Sequence, residues 1–111
     1  MKRGDVFYAN LDPTQGAQTQ KTRPVVIVSN DAANRAGALV TVLPVTSNVT
    51  RIFPFEVKLL ASDTGLSKDS KAMAQQVRTL DKGRLAPSAS GHVPAALMMQ
   101  VDAALRLHLS L

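Results

Sequence analysis

Gln20 to Asp31 reads QKTRPVVIVSND, with an arginine and a proline at the mouth of four consecutive β-branched residues. Val25, Val26, Ile27 and Val28 form a short, continuous apolar run of the kind that fills a strand buried on both faces. Pro24 has no N–H to give a strand ladder, so it belongs at the first residue of the strand or on an edge. Proline also biases the residue before it away from the α region, which predicts an extended Arg23. Arg23 is therefore expected where a rigid strand emerges from a loop, its guanidinium held and close to solvent. After the run, Ser29, Asn30 and Asp31 are residues that cap a helical turn, expected around Ala32 to Arg35.

Working outward, Asp5 to Leu11 (DVFYANL) predicts a first strand, closed by the turn formers of DPTQG. Gln15 to Thr22 is a polar loop with little to bury, and loops held by a scaffold often carry function. Leu39 to Val45 predicts a strand in which Pro44 marks an edge or a bulge. FPFEVKL returns as a strand with period-2 alternation. Ala72 to Arg78 is short and bounded by turn signals, which favours a strand, although Ala, Met and Gln favour helix. Pro94 suits a first helical turn, and Leu97, Met98, Val101, Leu105 and Leu109 recur at helical spacing. The sum is a mainly β fold. A small SH3-like barrel with a short helix and an amphipathic C-terminal helix is expected, forming a single domain over residues 1–111.

The 111 residues suffice for one modest core, and 45% hydrophobic content is that of an ordinary globular chain. No apolar run nears the roughly 20 residues needed to cross a bilayer. The basic start MKRGDVFYANLDP lacks the apolar stretch of a signal peptide, so a cytoplasmic location without membrane association is expected. There are no cysteines, which excludes disulfides, zinc–thiolate centres and thiol nucleophiles. A net charge of +5, spread along the chain, suits a polyanionic partner, nucleic acid before membrane.

The candidates for chemistry are few. His108 falls on the predicted helix as a packing or surface residue, and His92 lies in a Ser/Gly loop with no partner beside it in sequence. The carboxylates show no paired metal-ligand spacing, and no phosphate-loop glycine motif is present. One reaction needs neither metal, thiol nor histidine: cleavage of RNA by its own 2′-hydroxyl. There the nucleophile comes with the substrate, and a protein need only position the phosphate, stabilise its charge and manage two proton transfers. Arginine's planar fork suits the phosphate, and a strand-end hydroxyl can bond the phosphate or the 2′-hydroxyl. Arg23 and the strand exit Thr46-Ser47-Asn48 offer these groups, but by spacing alone such a pair is unspecific.

A larger set of motifs adds to this. KRGD at Lys2–Asp5, LDP at Leu11–Pro13, Gly16, Arg23-Pro24 with VVIVSN, PVTSN at Pro44–Asn48, FPFEV at Phe53–Val57 and QVRTLDKGRL at Gln76–Leu85 run nearly end to end. In this combination the sequence resembles the MazF/PemK-type toxins, endoribonucleases of bacterial toxin–antitoxin pairs. The resemblance implies an SH3-like barrel acting as a homodimer. It also implies metal-independent, sequence-specific cutting of single-stranded RNA (mRNA), without a cofactor, to 2′,3′-cyclic phosphate and 5′-hydroxyl ends. A cognate MazE-like antitoxin would inhibit by laying an acidic tail over the RNA groove. A non-catalytic relative of the same fold, like the CcdB-type gyrase poisons, is the alternative, and a passive RNA-binding adaptor is a third.

Carried over residue by residue, the resemblance makes Arg23 and Thr46 the catalytic pair and Gln76 the glutamine of an RNA-contacting Gln-x-Arg-Thr strand. The Thr14–Thr22 loop, with Thr14, Gln15, Gln18 and Lys21, would close on RNA. Ser47, Asn48, Arg51, Lys71, Gln75 and Arg78 flank the motifs as further RNA contacts. Phe53 offers a stacking face for an unpaired base or is simply core. Val6 and Tyr8 are expected in the core or a dimer surface. Some relatives carry acids where this chain has Gln18 and Gln75, so no carboxylate base carries over to these positions, and the proton acceptor stays open.

Overall fold

The structure is a computed structural model and describes residues 1–11 and 22–111. Among them, β1 (Asp5–Asn10), β2 (Thr22–Ile27), β3 (Leu39–Thr46), β4 (Glu56–Leu59), β5 (Ser70–Met73), β6 (Arg78–Asp81) and β7 (Gly91–His92) form an antiparallel sheet. Its order is β4-β5-β3-β2-β1-β7, with β6 also on β3. The helices are α1 (Asp31–Ala36), α2 (Ala61–Thr64) and α3 (Ala95–Leu109). The expected mainly β architecture with a short helix and a C-terminal helix is what forms, as a curled half-barrel.

β2 explains the curl. Its apolar run alternates, so Val26 and Val28 enter one core with Leu43, Val45, Leu59, Met98 and Val101. Val25 and Ile27 enter a second core with Phe7, Ala9, Val40, Val42 and Leu80 on the other face. A strand buried on both faces needs no polar alternation, hence the unbroken β-branched run. The strand starts earlier than the apolar run, at Thr22. Pro24 pairs with Tyr8 of β1, while the pairing with β3 begins only at Val25, so the proline stands where the β3 side of the strand is open.

β3 has the same property at its far end. It pairs with β6 over Leu39–Val42 and with β5 at Val45–Thr46. Pro44 lies where one partner has ended and the other has not begun, a place where the ladder is already interrupted. The segment expected as one strand over Ala72–Arg78 is instead divided. β5 ends at Met73, Ala74–Gln76 form a 3-10 turn, and β6 begins at Arg78. The break follows from β3, whose two halves take different partners, so the chain must step from one to the other. Ala74 is buried at the step.

α1 is capped as its sequence suggests, the Asn30 side chain accepting from Ala33 N–H at 2.7 Å. α3 starts one residue after Pro94 and buries Met98, Val101 and Ala104 against β4 and the Ala74–Gln76 turn. Leu97 and Leu105 are half-buried, whereas Leu109 at the end of the expected stripe is exposed. Arg3 ties the helix down: its guanidinium donates to Val28 O at 2.8 Å and pairs with Asp102. His92, expected in an unpartnered loop, is in β7 instead. Its Nδ1 lies 2.9 Å from Asp5 Oδ1, directly across the β1–β7 pair.

Candidate active site

β2 and β3 pair through Ile27↔Val42, Val26↔Leu43 and Val25↔Pro44. Two positions further the same register sets Arg23 opposite Thr46. Both are past the last bonded pair, at the strand ends, and by alternation on the face of Val25 and Pro44. Two surface clefts meet there, and among the described residues Arg23 and Thr46 line both. One cleft continues past Tyr8, Ser47, Leu66 and Lys68. The other passes Asn48, Lys71, Gln76 and Arg78. Among the described residues no carboxylate lines either, while Arg23, Lys68, Lys71 and Arg78 do, so the charged groups these residues bring to the clefts are all cationic and suit an anion.

Arg23 is exposed, lines both clefts and makes no hydrogen bond or ion pair among the described residues, so none of these residues occupies its five donors. Thr46 Oγ1 accepts the Asn48 N–H at 3.2 Å, which holds the hydroxyl in place and leaves its own proton to donate. Asn48 in turn accepts from Thr50 N–H at 3.3 Å, a local turn that shapes the strand exit. Arg78 donates to Leu11 O at 3.3 Å and thereby fixes the end of β1 beside the cleft.

Below this surface lies a buried polar cluster that sequence reasoning did not single out. Glu56 is almost fully enclosed on β4. Its Oε1 accepts from Phe53 N–H at 2.9 Å and from Lys71 Nζ at 2.9 Å, and its Oε2 from Gln75 Nε2 at 2.7 Å. Lys71 also donates to Arg51 O at 2.7 Å. Burial pushes the Glu56 carboxyl up, but the Phe53 amide, the Lys71 ammonium and the Gln75 amide outweigh it. The group is held below the usual carboxylate range.

The sequence candidates therefore divide. Arg23, Thr46, Ser47, Asn48, Gln76 and Arg78 gather on the clefts. Gln76 closes the 3-10 turn rather than lying in a strand. Lys71 touches the same wall, but its ammonium is engaged with Glu56, and Gln75 is turned to Glu56 as well. Arg51 lies over the Phe53 ring at 5.4 Å, and Phe53 stacks on Phe55 at 5.4 Å. Arg51 and Phe53 are absent from the cleft linings. Thr14, Gln15, Gln18 and Lys21 fall outside the described residues. Tyr8, expected as core or dimer surface, is half-buried and lines a cleft, and so does Lys68, which the sequence did not single out. Only the strand pairing could have placed Tyr8 there.

A profile of the PemK-like, MazF-like toxins of type II toxin–antitoxin systems matches residues 2–109. The chain belongs to that family. It is 44% identical to the endoribonuclease MazF9 of Mycobacterium tuberculosis, an alignment covering 100% of this chain and 98% of the relative. With the endoribonuclease EndoA of Bacillus subtilis the identity is 35%, over 100% and 96% of the two chains. Among solved structures, a mycobacterial endoribonuclease in complex with its cognate antitoxin superposes with a TM-score of 0.81 at 32% identity, covering 100% and 96% of the chains. The MazE–MazF assembly of Deinococcus radiodurans superposes with a TM-score of 0.83 at 28% identity, again over 100% and 96%. The fold of the MazF/PemK toxins is thus the fold of this chain.

Proposed function

We propose that this chain, an endoribonuclease toxin of the MazF/PemK family, cuts single-stranded RNA through attack of a ribose 2′-hydroxyl on its own 3′-phosphate. The observation that carries the reading is the register that brings Arg23 opposite Thr46 at the junction of two clefts that no carboxylate lines among the described residues. The 2′-oxygen–phosphorus bond forms as the bond from phosphorus to the 5′-oxygen breaks. The 2′-hydroxyl loses its proton and the leaving 5′-oxygen gains one. The ends are then a 2′,3′-cyclic phosphate and a 5′-hydroxyl. Because the substrate supplies the nucleophile, this chemistry needs neither metal nor cofactor.

Arg23 is assigned to the equatorial oxygens of the phosphorane, whose added charge its fork meets with two donors. Thr46 donates to the same phosphate or orients the 2′-hydroxyl. Glu56 is a structural group and not the base, because its oxygens already accept from Phe53, Lys71 and Gln75. As a toxin of a type II pair the chain has an antitoxin partner. An acidic antitoxin segment laid along the positive clefts would exclude RNA from them. A homodimer in the cytoplasm completes the reading. No helix among the described residues is long and apolar enough to cross a membrane.

The test is incubation of the purified protein with a long transcript in the presence of a chelator, with cuts mapped by primer extension and ends analysed chemically. Sequence-specific cuts with cyclic phosphate ends are expected. Intact RNA would favour the gyrase-poison reading, or the adaptor reading if RNA is bound without being cut.

A further inference from the structure

The cleft that runs from Arg23 past Tyr8 and Lys68 has a composition the reaction itself does not need. Tyr8 is half-buried on β1, across from Pro24 in the β1–β2 pairing, and makes no side-chain hydrogen bond among the described residues. Pro24, Val45 and Leu66 add apolar wall, while Thr22, Ser47 and Ser67 contribute hydroxyls. The volume, about 460 Å³, is in the range of small-molecule sites.

Lys68 is exposed on a loop that is nonetheless fixed at two points. Ser70 Oγ donates to the Lys68 carbonyl at 2.9 Å, and Asp69 Oδ1 accepts the Ala61 N–H at 2.8 Å. The Lys68 ammonium forms no ion pair among the described residues. An aromatic ring, apolar walls, hydroxyls and a cation without an ion pair, with no carboxylate among the described residues, match the parts of a nucleotide one by one. The other cleft differs, since it offers the amides of Asn48 and Gln76, groups that read base edges.

We infer that the Tyr8–Lys68 cleft holds a nucleotide bordering the cut, its base against the Tyr8 ring and its outer phosphate on Lys68; this rests on the nuclease reading above. A ring face and a phosphate contact carry little base identity, because every base has a π-face and every nucleotide a phosphate. This cleft therefore grips, and the Asn48–Gln76 cleft selects.

The test uses the full chain and an RNA oligonucleotide spanning a mapped cut, with a form carrying 2′-deoxyribose at the cut as the binding probe. Lys68→Ala should raise KM about tenfold, with kcat within about twofold, the effect of one charged contact to RNA. It should also lower the slope of log affinity against log salt by about 0.7, the share of one single-strand phosphate. Tyr8→Phe should bind like the parent and Tyr8→Leu about tenfold more weakly, as expected for a lost stacking face. Arg35→Ala, on α1 and lining neither cleft, removes the same charge as a control and should leave KM unchanged. Mapped cut sites should be the same for Lys68→Ala and the parent. If Lys68→Ala matches Arg35→Ala in KM and salt slope, or if Tyr8→Leu binds as the parent does, the inference is overturned while the nuclease reading stands. A parent protein that cuts no transcript would sink both.

Discussion

Arg23 and Thr46 occupy opposed positions on β2 and β3, two residues beyond the Val25–Pro44 pair, where the ladder has ended and both side chains face open clefts. The prolines beside them mark the same boundary. Pro24 stands where β2 has β1 alone beside it, and Pro44 where β3 changes partner. In the proposed reaction a fork and a hydroxyl at a sheet margin would cost little to organise around a phosphate, because the backbone beneath them belongs to two packed cores.

Removing the fork should stop the reaction without unfolding the protein. Arg23→Ala is expected to lower kcat about 10³-fold, the scale of a lost charge-stabilising donor, with an unchanged thermal melt because Arg23 is exposed. Arg23→Lys keeps the charge but not the paired donors and should recover only part of the rate. Single-turnover cleavage kinetics checks both.

The threonine should act through its hydroxyl. Thr46→Val keeps the branched shape and should lose about thirtyfold in kcat, on the scale of one hydrogen bond to a charged group. Thr46→Ser retains the acceptor for Asn48 N–H and the free proton, so it should stay within several-fold of the parent.

The cluster around Glu56 should matter to stability rather than to chemistry. Lys71→Met leaves the enclosed carboxylate without its cation and should cost about 3 kcal/mol in urea unfolding. The same cluster gives a pH dependence. Glu56 in the folded chain titrates below its ordinary 4.5, so its contribution to stability is full above that value. The contribution falls away as pH drops from 4.5 through the lowered folded value. Urea midpoints measured from pH 6 downward should decline in that window, and less steeply for Glu56→Gln.

Close packing of backbone makes a further contrast. A Cβ on Gly91 would lie 2.1 Å from the Thr64 carbonyl oxygen, so Gly91→Ala must displace α2 or β7 and should cost about 3 kcal/mol. A Cβ on Gly37 meets nothing within 4 Å, and Gly37→Ala should be nearly neutral. Paired thermal melts decide this.

What could be read from the chain in advance follows from where the information lies. Val25 to Val28 announce a doubly buried strand because four adjacent branched residues have few other uses, and Asn30 announces its helix through a local hydrogen bond. Ala72 to Arg78 resisted reading because its break is set by β3, dozens of residues away, and not by its own composition. The Glu56–Lys71–Gln75 cluster forms only when β4 pairs with β5, so no sequence spacing marks it. His92 met Asp5 in the same way, across 87 residues. Tyr8 looked like any core aromatic until its pairing opposite Pro24 turned it toward the cleft.

The central claim is that a ribose, held by Arg23 and Thr46, severs its own strand. The direct measurement replaces the single ribose 5′ to a mapped cut with 2′-deoxyribose and follows cleavage of that oligonucleotide beside its all-ribose twin. Complete loss of cutting at that bond, with binding retained, is the expected result. Cleavage of the deoxy substrate at an undiminished rate would contradict the account.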